Sequence, residues 1–174
     1  MKQALSLLIL FTLTGCYHLG EIRPTSMRAV QTLAIPTFQN TTLIPRTEVL
    51  LADITIRMFQ NDGTYRIVPD EQADAILECS LVEVSRSPIL SSTTNIFQTQ
   101  QFQFQIRVKY KVVDQRTGSI LQAGTVNGET TYFVGADRSS TFVGTDLTSD
   151  ERQAFPLAAR SMATALMGQL TQGW

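Results

Sequence analysis

The chain has 174 residues, 14 basic and 15 acidic side chains, and a net charge of −1 at pH 7. A composition without excess basic charge excludes the proteins that bind nucleic acid through a cationic surface. A single histidine and two cysteines leave no ligand set for a zinc site, so neither a metal nor another cofactor is expected.

Residues 1–15 have the three parts of a secretory signal peptide. Lys2 supplies the positive charge, residues 4–13 are almost entirely apolar, and small residues follow. The apolar run is shorter than the roughly 20 residues that cross a bilayer. We therefore predict that this segment is removed on export and does not form a transmembrane helix.

Leu13-Thr14-Gly15-Cys16 resembles the lipobox at which bacterial lipoproteins are cleaved and lipidated. Small residues before the cysteine let the backbone enter the peptidase, and the thiol accepts a diacylglycerol. We predict a lipid on Cys16, where two or more acyl chains give stable membrane anchoring. An ordinary signal peptide with an unmodified cysteine is the alternative. Tyr17, which is not Asp, favours the outer membrane by the sorting rule of enteric bacteria.

Cys79 is the only other cysteine, so lipidation of Cys16 would leave it without a partner for an intrachain disulfide. It lies in an apolar stretch, which favours the role of a small buried hydrophobic residue. The mature chain is predicted to consist of a lipidated tether, residues 16–27, and one folded domain, residues 28–174.

In the first half of the domain, the sequence pattern predicts a strand, a helix and two further strands. The helix has an apolar stripe at helical spacing and ends near Gly63, which suits a left-handed C-terminal position. The alternation in the last strand slips near Leu81, which indicates a β-bulge. The predicted ranges are 30–35 for the first strand, 38–42 for a polar connection, 45–60 for the helix with Val49, Ala52, Ile56 and Phe59 as its stripe, and 65–68 and 73–86 for the other strands.

The clearest pattern is the alternation between residues 97 and 114. Six apolar and six polar residues occupy opposite parities, which is typical of a long strand with one buried and one wet face. A turn at 115–118 leads to a partner strand at 119–134. The apolar set is Phe102, Phe104, Ile106, Val108, Tyr110 and Val112, and the polar set is Gln101, Gln103, Gln105, Arg107, Lys109 and Lys111.

A second helix is predicted after a polar loop at 135–146. Thr148 and Glu151 have the spacing of a capping box, and apolar residues then recur at helical spacing. Pro156 lacks an amide hydrogen, so the helix is expected to kink there or to start later, near Asp150. Together these elements predict an α+β, two-layer sandwich: a mixed or antiparallel sheet of about four to five strands with two helices packed on one face.

The order of several short motifs resembles the LptE-like family of lipopolysaccharide-assembly lipoproteins. Tyr17-His18-Leu19 follows the cysteine, as an aromatic-His-Leu sequence does in that family, although the glycine that enteric members usually have before the aromatic residue is absent. The other matching positions are residues 35–42, Glu48, Leu51, Asp53, Asp62, Gly63, residues 73–77 and Trp174. The resemblance implies a two-layer fold and a role as plug and folding partner of an LptD-type β-barrel in the outer membrane. The domain would lie on the periplasmic side or within the barrel lumen.

The resemblance also implies binding of lipopolysaccharide, and Arg107, Lys109 and Lys111 are the residues we single out for that contact. Alternate strand positions bring their charges to about 6–7 Å spacing, which could engage the phosphates of lipid A. A solvated strand face, with lysines that deter edge pairing, is the simpler interpretation and carries more weight. The glutamine row could instead contact a polar barrel lumen, and loops at 87–95 and 135–146 are further candidate contacts.

Two other functions are considered. The same anchor and fold class would serve an accessory lipoprotein of another envelope system, either a secretin pilot or a subunit of a lipid transporter. An enzyme is not expected, because His18, the only histidine, lies on the tether and cannot belong to a pre-organised triad. Gly124, Gly128 and Gly135 do not open a helix, as a phosphate-binding loop requires.

Overall fold

The computed structural model describes residues 23–90, 100–134 and 149–172. These residues form two helices and six strands, with short 3₁₀ turns at Thr25–Met27 and Asp70–Gln72. In chain order the elements are β1 (Thr32–Ala34), β2 (Gln39–Asn40), α1 (Glu48–Asp62), β3 (Arg66–Ile67), β4 (Ala75–Leu90), β5 (Gln100–Asp114), β6 (Ile120–Val134) and α2 (Ser149–Gln172).

The strands form one mixed sheet in the order β3-β1-β4-β5-β6, and β2 lies beside β4 beyond the end of β1. β1 and β2 run parallel to β4, and β3 runs parallel to β1. The three long strands β4, β5 and β6 are antiparallel neighbours. The two helices pack against this sheet around a single core, so the predicted α+β two-layer class is confirmed.

The sheet has one strand more than the predicted four to five. Residues 38–42 are a polar connection by sequence, yet β2 pairs with Ser80 and Leu81 of β4. The amide of Thr41 also donates to the carbonyl of Leu81 at 3.0 Å. A strand of two polar residues has no alternation of apolar and polar positions, so the sequence pattern could not reveal it.

α1 begins at Glu48, three residues later than predicted. Arg46 has a left-handed φ of 64°, which a right-handed helix cannot contain. The helix ends at Gly63 as predicted, where φ is 74° and the amide donates to the carbonyl of Phe59 at 3.1 Å. Val49 is 64% exposed, so the predicted stripe is wrong at that position. The residues that are buried are Leu51, Ala52, Thr55 and Phe59.

The side chains of β4 change faces at the predicted bulge. Pairing with β5 is continuous up to Leu81 and resumes at Glu83, so Val82 is the additional residue. Odd-numbered residues face the helices before the bulge, and even-numbered residues face them after it. The buried residues on the helix side before the bulge are Ala75, Leu77, Cys79 and Leu81.

The loop predicted at 87–95 begins later than expected, because β4 continues to Leu90. Pro88 is accommodated opposite Phe102 on a stretch of β4 that has no described neighbour on its other side. An edge is where a strand tolerates a residue without an amide hydrogen. The rest of that loop and the loop at 135–146 lie outside the described residues.

α2 lies against β5 and β6 and closes the core. A Cβ built on Gly128 would be 2.1 Å from the carbonyl oxygen of Ala158, so the helix backbone rests directly on this strand position. The absence of a side chain at Gly128 therefore sets how closely the two layers approach. The apolar residues buried at this contact include Phe104, Ile106, Val108, Phe155, Met162 and Leu166.

α2 runs from Ser149 through Pro156 to Gln172 as one continuous helix. Its first described residue agrees with the predicted start near Asp150. Apolar packing on both sides of Pro156 holds the helix against the sheet despite the missing hydrogen bond. Thr148, the predicted capping residue, lies outside the described residues.

The described part of the predicted tether packs on the domain. Met27 is fully buried, and the guanidinium of Arg23 lies 5.2 Å from the centre of the Tyr65 ring. The same guanidinium donates to the carbonyl of Val30 at 2.9 Å. Neither of the described helices combines the length and the apolar character that crossing a membrane requires.

Candidate functional site

The face of the long strands that points away from the helices is covered by no other described element, and we call it the open face. Its central row comes from β5, where the predicted alternation is confirmed. The helix-side residues Phe104, Ile106, Val108, Tyr110 and Val112 are buried. The open-face residues Gln101, Gln103, Gln105, Arg107, Lys109 and Lys111 are partly or fully exposed.

Charged side chains on the open face are paired with one another across the strands. Lys111 of β5 contacts Glu78 of β4 at 2.9 Å. Arg107 forms an ion pair with Glu83 of β4, and its Nε donates to Asn127 of β6 at 3.3 Å. These side chains are 40–48% exposed, so solvent screening limits each pair to at most about 1 kcal/mol.

Lys109 lies between the two pairs and is exposed, and no ion pair is described for it. Its register neighbours are Ser80 on β4 and Thr125 on β6, neither of which carries charge. Lys109 and Lys111 border a depression of about 190 Å³ that Gln39, Glu78 and Ser80 also line. The predicted cationic row therefore exists as a row, but Glu78 and Glu83 balance two of its three charges.

The alternation in the sequence does not identify those two glutamates as partners of the row. Glu78 precedes the bulge in β4 and Glu83 follows it, so they have different parities in the sequence. Only the extra residue Val82 brings both onto the open face. A bulge near Leu81 is predicted from the sequence, but the register on either side of it is not.

A buried charged cluster fastens the start of α2 to the sheet. Glu151 has no exposed surface and forms an ion pair with Arg86 of β4, whose Nη2 also donates to Oε2 of Glu151 at 3.2 Å. The hydroxyl of Tyr132 on β6 donates to Oε1 at 3.0 Å. Burial and the nearby carboxylate raise the pKa of Tyr132. This cluster joins three elements that are far apart in the sequence.

Cys79 is buried and forms no disulfide, as predicted for a small hydrophobic residue. Burial raises the pKa of its thiol, which disfavours the reactive thiolate. Within residues 23–90, 100–134 and 149–172, no group of three His, Cys, Asp or Glu side chains could hold a metal ion. Cys16 and His18 lie outside the described residues.

Fold and surface together define a small two-layer α+β domain whose main accessible feature is a broad polar sheet face. The family model for lipopolysaccharide-assembly proteins, LptE, matches residues 30–171. The chain belongs to the LptE family, as its motifs indicate.

The same fold occurs in other solved structures. A DUF330-family protein from Xanthomonas campestris is 15% identical with a TM-score of 0.58, and 82% of this chain covers 85% of that one. A putative lipoprotein from Caulobacter crescentus is 14% identical with a TM-score of 0.53, and 81% of this chain covers 89% of that one. At these identities the likeness concerns the fold alone. No curated protein sequence matches this chain.

Proposed function

We propose that this protein is an outer-membrane lipoprotein that assists the assembly of lipopolysaccharide at the cell surface, as plug and folding partner of an LptD-type β-barrel. The family match over residues 30–171 is the observation that carries the proposal. The lipobox at Cys16 supports the membrane anchor, and Tyr17 after it supports the outer membrane. The domain would then sit on the periplasmic side or inside the barrel.

The open face is the surface that we assign to the barrel wall. Covering a charged face usually leaves charges desolvated and unpaired, which is costly. On this face the pairing of Lys111 with Glu78 and of Arg107 with Glu83 balances four of the charges, which lowers that cost. The glutamine row supplies donors and acceptors without charge, which suits contact with a polar lumen.

Contact with lipopolysaccharide is assigned to Arg107, Lys109 and Lys111, with Lys109 as the leading residue. No ion pair is described for Lys109, and the depression beside it, which Lys111 and its partner Glu78 also line, is large enough for a phosphate group. Arg107 and Lys111 would have to exchange their glutamates for the ligand, so each contributes less. Neutral Ser at all three positions should weaken binding of purified lipopolysaccharide, and most of the loss should already appear in Lys109→Ser. An unchanged affinity in the triple variant would overturn this assignment.

The partner is tested by extracting the tagged, full-length protein from native outer membranes in mild detergent and identifying by mass spectrometry what comes with it. A stoichiometric β-barrel of the LptD type is expected. Recovery of a secretin or an inner-membrane transporter, or of the protein alone, would overturn the proposed function.

The assignment of the open face is tested by comparing Gln105→Arg with Gln153→Arg. Gln105 is central to the open face, whereas Gln153 is exposed on α2. The two variants add the same charge and volume. Recovery of the barrel should fall in Gln105→Arg and stay at the wild-type level in Gln153→Arg. Equal recovery from both would place the contact elsewhere on the domain.

A further inference from the structure

The helical layer carries a second recess, a groove between α1 and α2 of about 490 Å³. That volume lies within the roughly 300–1,000 Å³ usual for small-molecule sites. The α1 side of the groove is one continuous helix face with spacings of three and four residues. Its lining residues are Leu50, Asp53, Ile54, Arg57, Met58 and Asn61 from α1, and Pro156 and Arg160 from α2.

The groove is long and has an apolar strip along it. From Leu50 to Asn61 the helix rises about 16 Å at 1.5 Å per residue. Leu50, Ile54 and Met58 recur every four residues, and Pro156 faces them from α2. A strip of this shape fits an extended hydrocarbon chain better than a compact ligand. Leu157, next to Pro156, is 52% exposed and enlarges the apolar surface at this border.

The charges of the groove do not balance. Arg57 is paired with Asp53 at 3.1 Å, and both side chains are largely accessible to solvent. Arg160 also lines the groove and is exposed, and no ion pair is described for it. The groove therefore has two guanidinium groups and one carboxylate. A guanidinium binds a phosphate through two parallel charge-assisted hydrogen bonds, which favours a phosphate as the matching anion.

We propose that the groove between α1 and α2 binds one acyl chain and the phosphate group of an anionic membrane phospholipid. The acyl chain lies along Leu50, Ile54 and Met58, and Arg160 holds the phosphate, with Arg57 beside it. The proposal does not depend on the proposed function, because the groove belongs to the helical layer and the open face lies on the other side of the sheet.

The test uses native mass spectrometry of the full-length protein in a nonionic detergent, titrated with lysophosphatidylglycerol or lysophosphatidylcholine. Both probes have one acyl chain and a phosphate, but only the first has a net negative charge. One lysophosphatidylglycerol should bind saturably, and more tightly than lysophosphatidylcholine. Arg160→Glu should weaken this binding at least about tenfold, the scale of a lost charge-assisted hydrogen bond.

Arg116→Glu is the matched control, since it makes the same substitution at the exposed turn between β5 and β6 and should leave the affinity unchanged. Met58→Gln tests the apolar strip and should weaken both probes, with an unchanged thermal midpoint showing that the fold is intact. Equal weakening by Arg160→Glu and Arg116→Glu would reveal unspecific attraction and overturn the proposal. Equal binding of the two probes, or no binding of either, would also overturn it.

A photo-crosslinking amino acid at position 58, introduced in cells, distinguishes the remaining candidate ligands of the groove. Crosslinks to lipid are expected. Crosslinks to a protein or to a second copy of this chain would mean that the groove is a protein interface, and the proposal would fail. If the groove binds no lipid but the β-barrel is still recovered with the protein, this proposal alone is overturned. Lipid binding without the barrel would overturn only the proposed function.

Discussion

Glu151 combines full burial with charge, and its environment explains how the domain tolerates it. The carboxylate lies in the first turn of α2, where the helix dipole favours negative charge. Arg86 neutralises it, and Tyr132 supplies a further hydrogen bond. By its spacing from Thr148 alone, Glu151 fits a capping box, because local spacing is all that a sequence offers. Its partners Arg86 and Tyr132 are 65 and 19 residues away.

Glu151→Gln should destabilise the protein by about 3 kcal/mol, because the largely buried guanidinium of Arg86 would lose the charge of its Glu151 partner. The free energy of unfolding in urea measures this. Asp53→Asn is the control: it removes the acid from the exposed pair with Arg57 and should cost less than about 0.5 kcal/mol. If Glu151→Gln and Asp53→Asn lowered the free energy of unfolding by similar amounts, burial of the Arg86–Glu151 ion pair would not be what makes it stabilising.

Asp74 shows how one exposed carboxylate orders a neighbouring strand. Its Oδ2 accepts hydrogen bonds from the amides of Thr32 at 2.8 Å and Gln31 at 3.0 Å, and its own amide donates to the hydroxyl of Thr32 at 2.8 Å. These bonds, that of Thr32 first, hold the pKa of Asp74 below its usual value. The Asp74 carboxylate therefore orders the start of β1 beside β4.

The pH dependence of this contact follows from the lowered pKa. The ionised carboxylate contributes stability above the unfolded-state pKa of about 3.9, and the contribution is lost as pH falls through the folded-state value. We expect Asp74→Asn to be less stable than the wild type at pH 7, with the difference shrinking as pH falls below about 4. Unfolding free energies between pH 7 and pH 2 measure it. A difference that stays constant to pH 2 would contradict the role of ionisation.

At the scale of elements, the contact of α2 with the sheet depends on the absence of a side chain at Gly128. A methyl group there would meet the backbone of Ala158 and Met162 at 2.1–2.7 Å, and a helix backbone cannot yield as a flexible side chain can. From the sequence, Gly124 and Gly128 are notable only because they do not open a helix, as a phosphate-binding loop requires. The structure assigns Gly128 a packing role, because the partner helix lies 30 residues further along the chain.

Gly128→Ala should cost about 1–3 kcal/mol through displacement of α2. Gly168→Ala is the matched control on α2 itself, where a new Cβ meets nothing within 4 Å. There the same change should stabilise the protein by about 0.5–1 kcal/mol, because alanine favours the helix. Thermal and urea unfolding of the two variants measure whether each change raises or lowers the stability. A neutral Gly128→Ala would mean that the two layers separate freely.

At the scale of the whole molecule, the fold class followed from periodicity, whereas the position of each segment depended on partners remote in sequence. The β5 alternation was sufficient to predict the dry and wet faces. The start of α1 was missed because nothing in the sequence marks the left-handed conformation of Arg46. The neutralised cationic row was missed because the register of β4 beyond Leu81 is fixed only by pairing with β5.

Tyr65 joins the first third of the chain to its last helix. Its hydroxyl donates to the carbonyl of Leu170 at 2.6 Å, and the ring is almost fully buried beside Phe59. Tyr65→Phe keeps the ring and leaves that carbonyl without this donor, so we expect a loss of about 1 kcal/mol. Hydrogen exchange should also quicken in the last turn of α2. Unchanged exchange there would show that the contact does not hold the helix end.

The extra residue at Val82 reverses which side chains of β4 face the helices and which face the open face. Strict alternation from Leu81 onward would place Glu83, Ser85 and Ser87 against the helices and send Arg86 to the solvent. With the extra residue, Glu83 meets Arg107 and Arg86 meets Glu151. One residue of length therefore determines which charges are buried and which are displayed over the outer half of the sheet. A homologue one residue shorter here would need a different set of polar residues on both faces, however similar its composition.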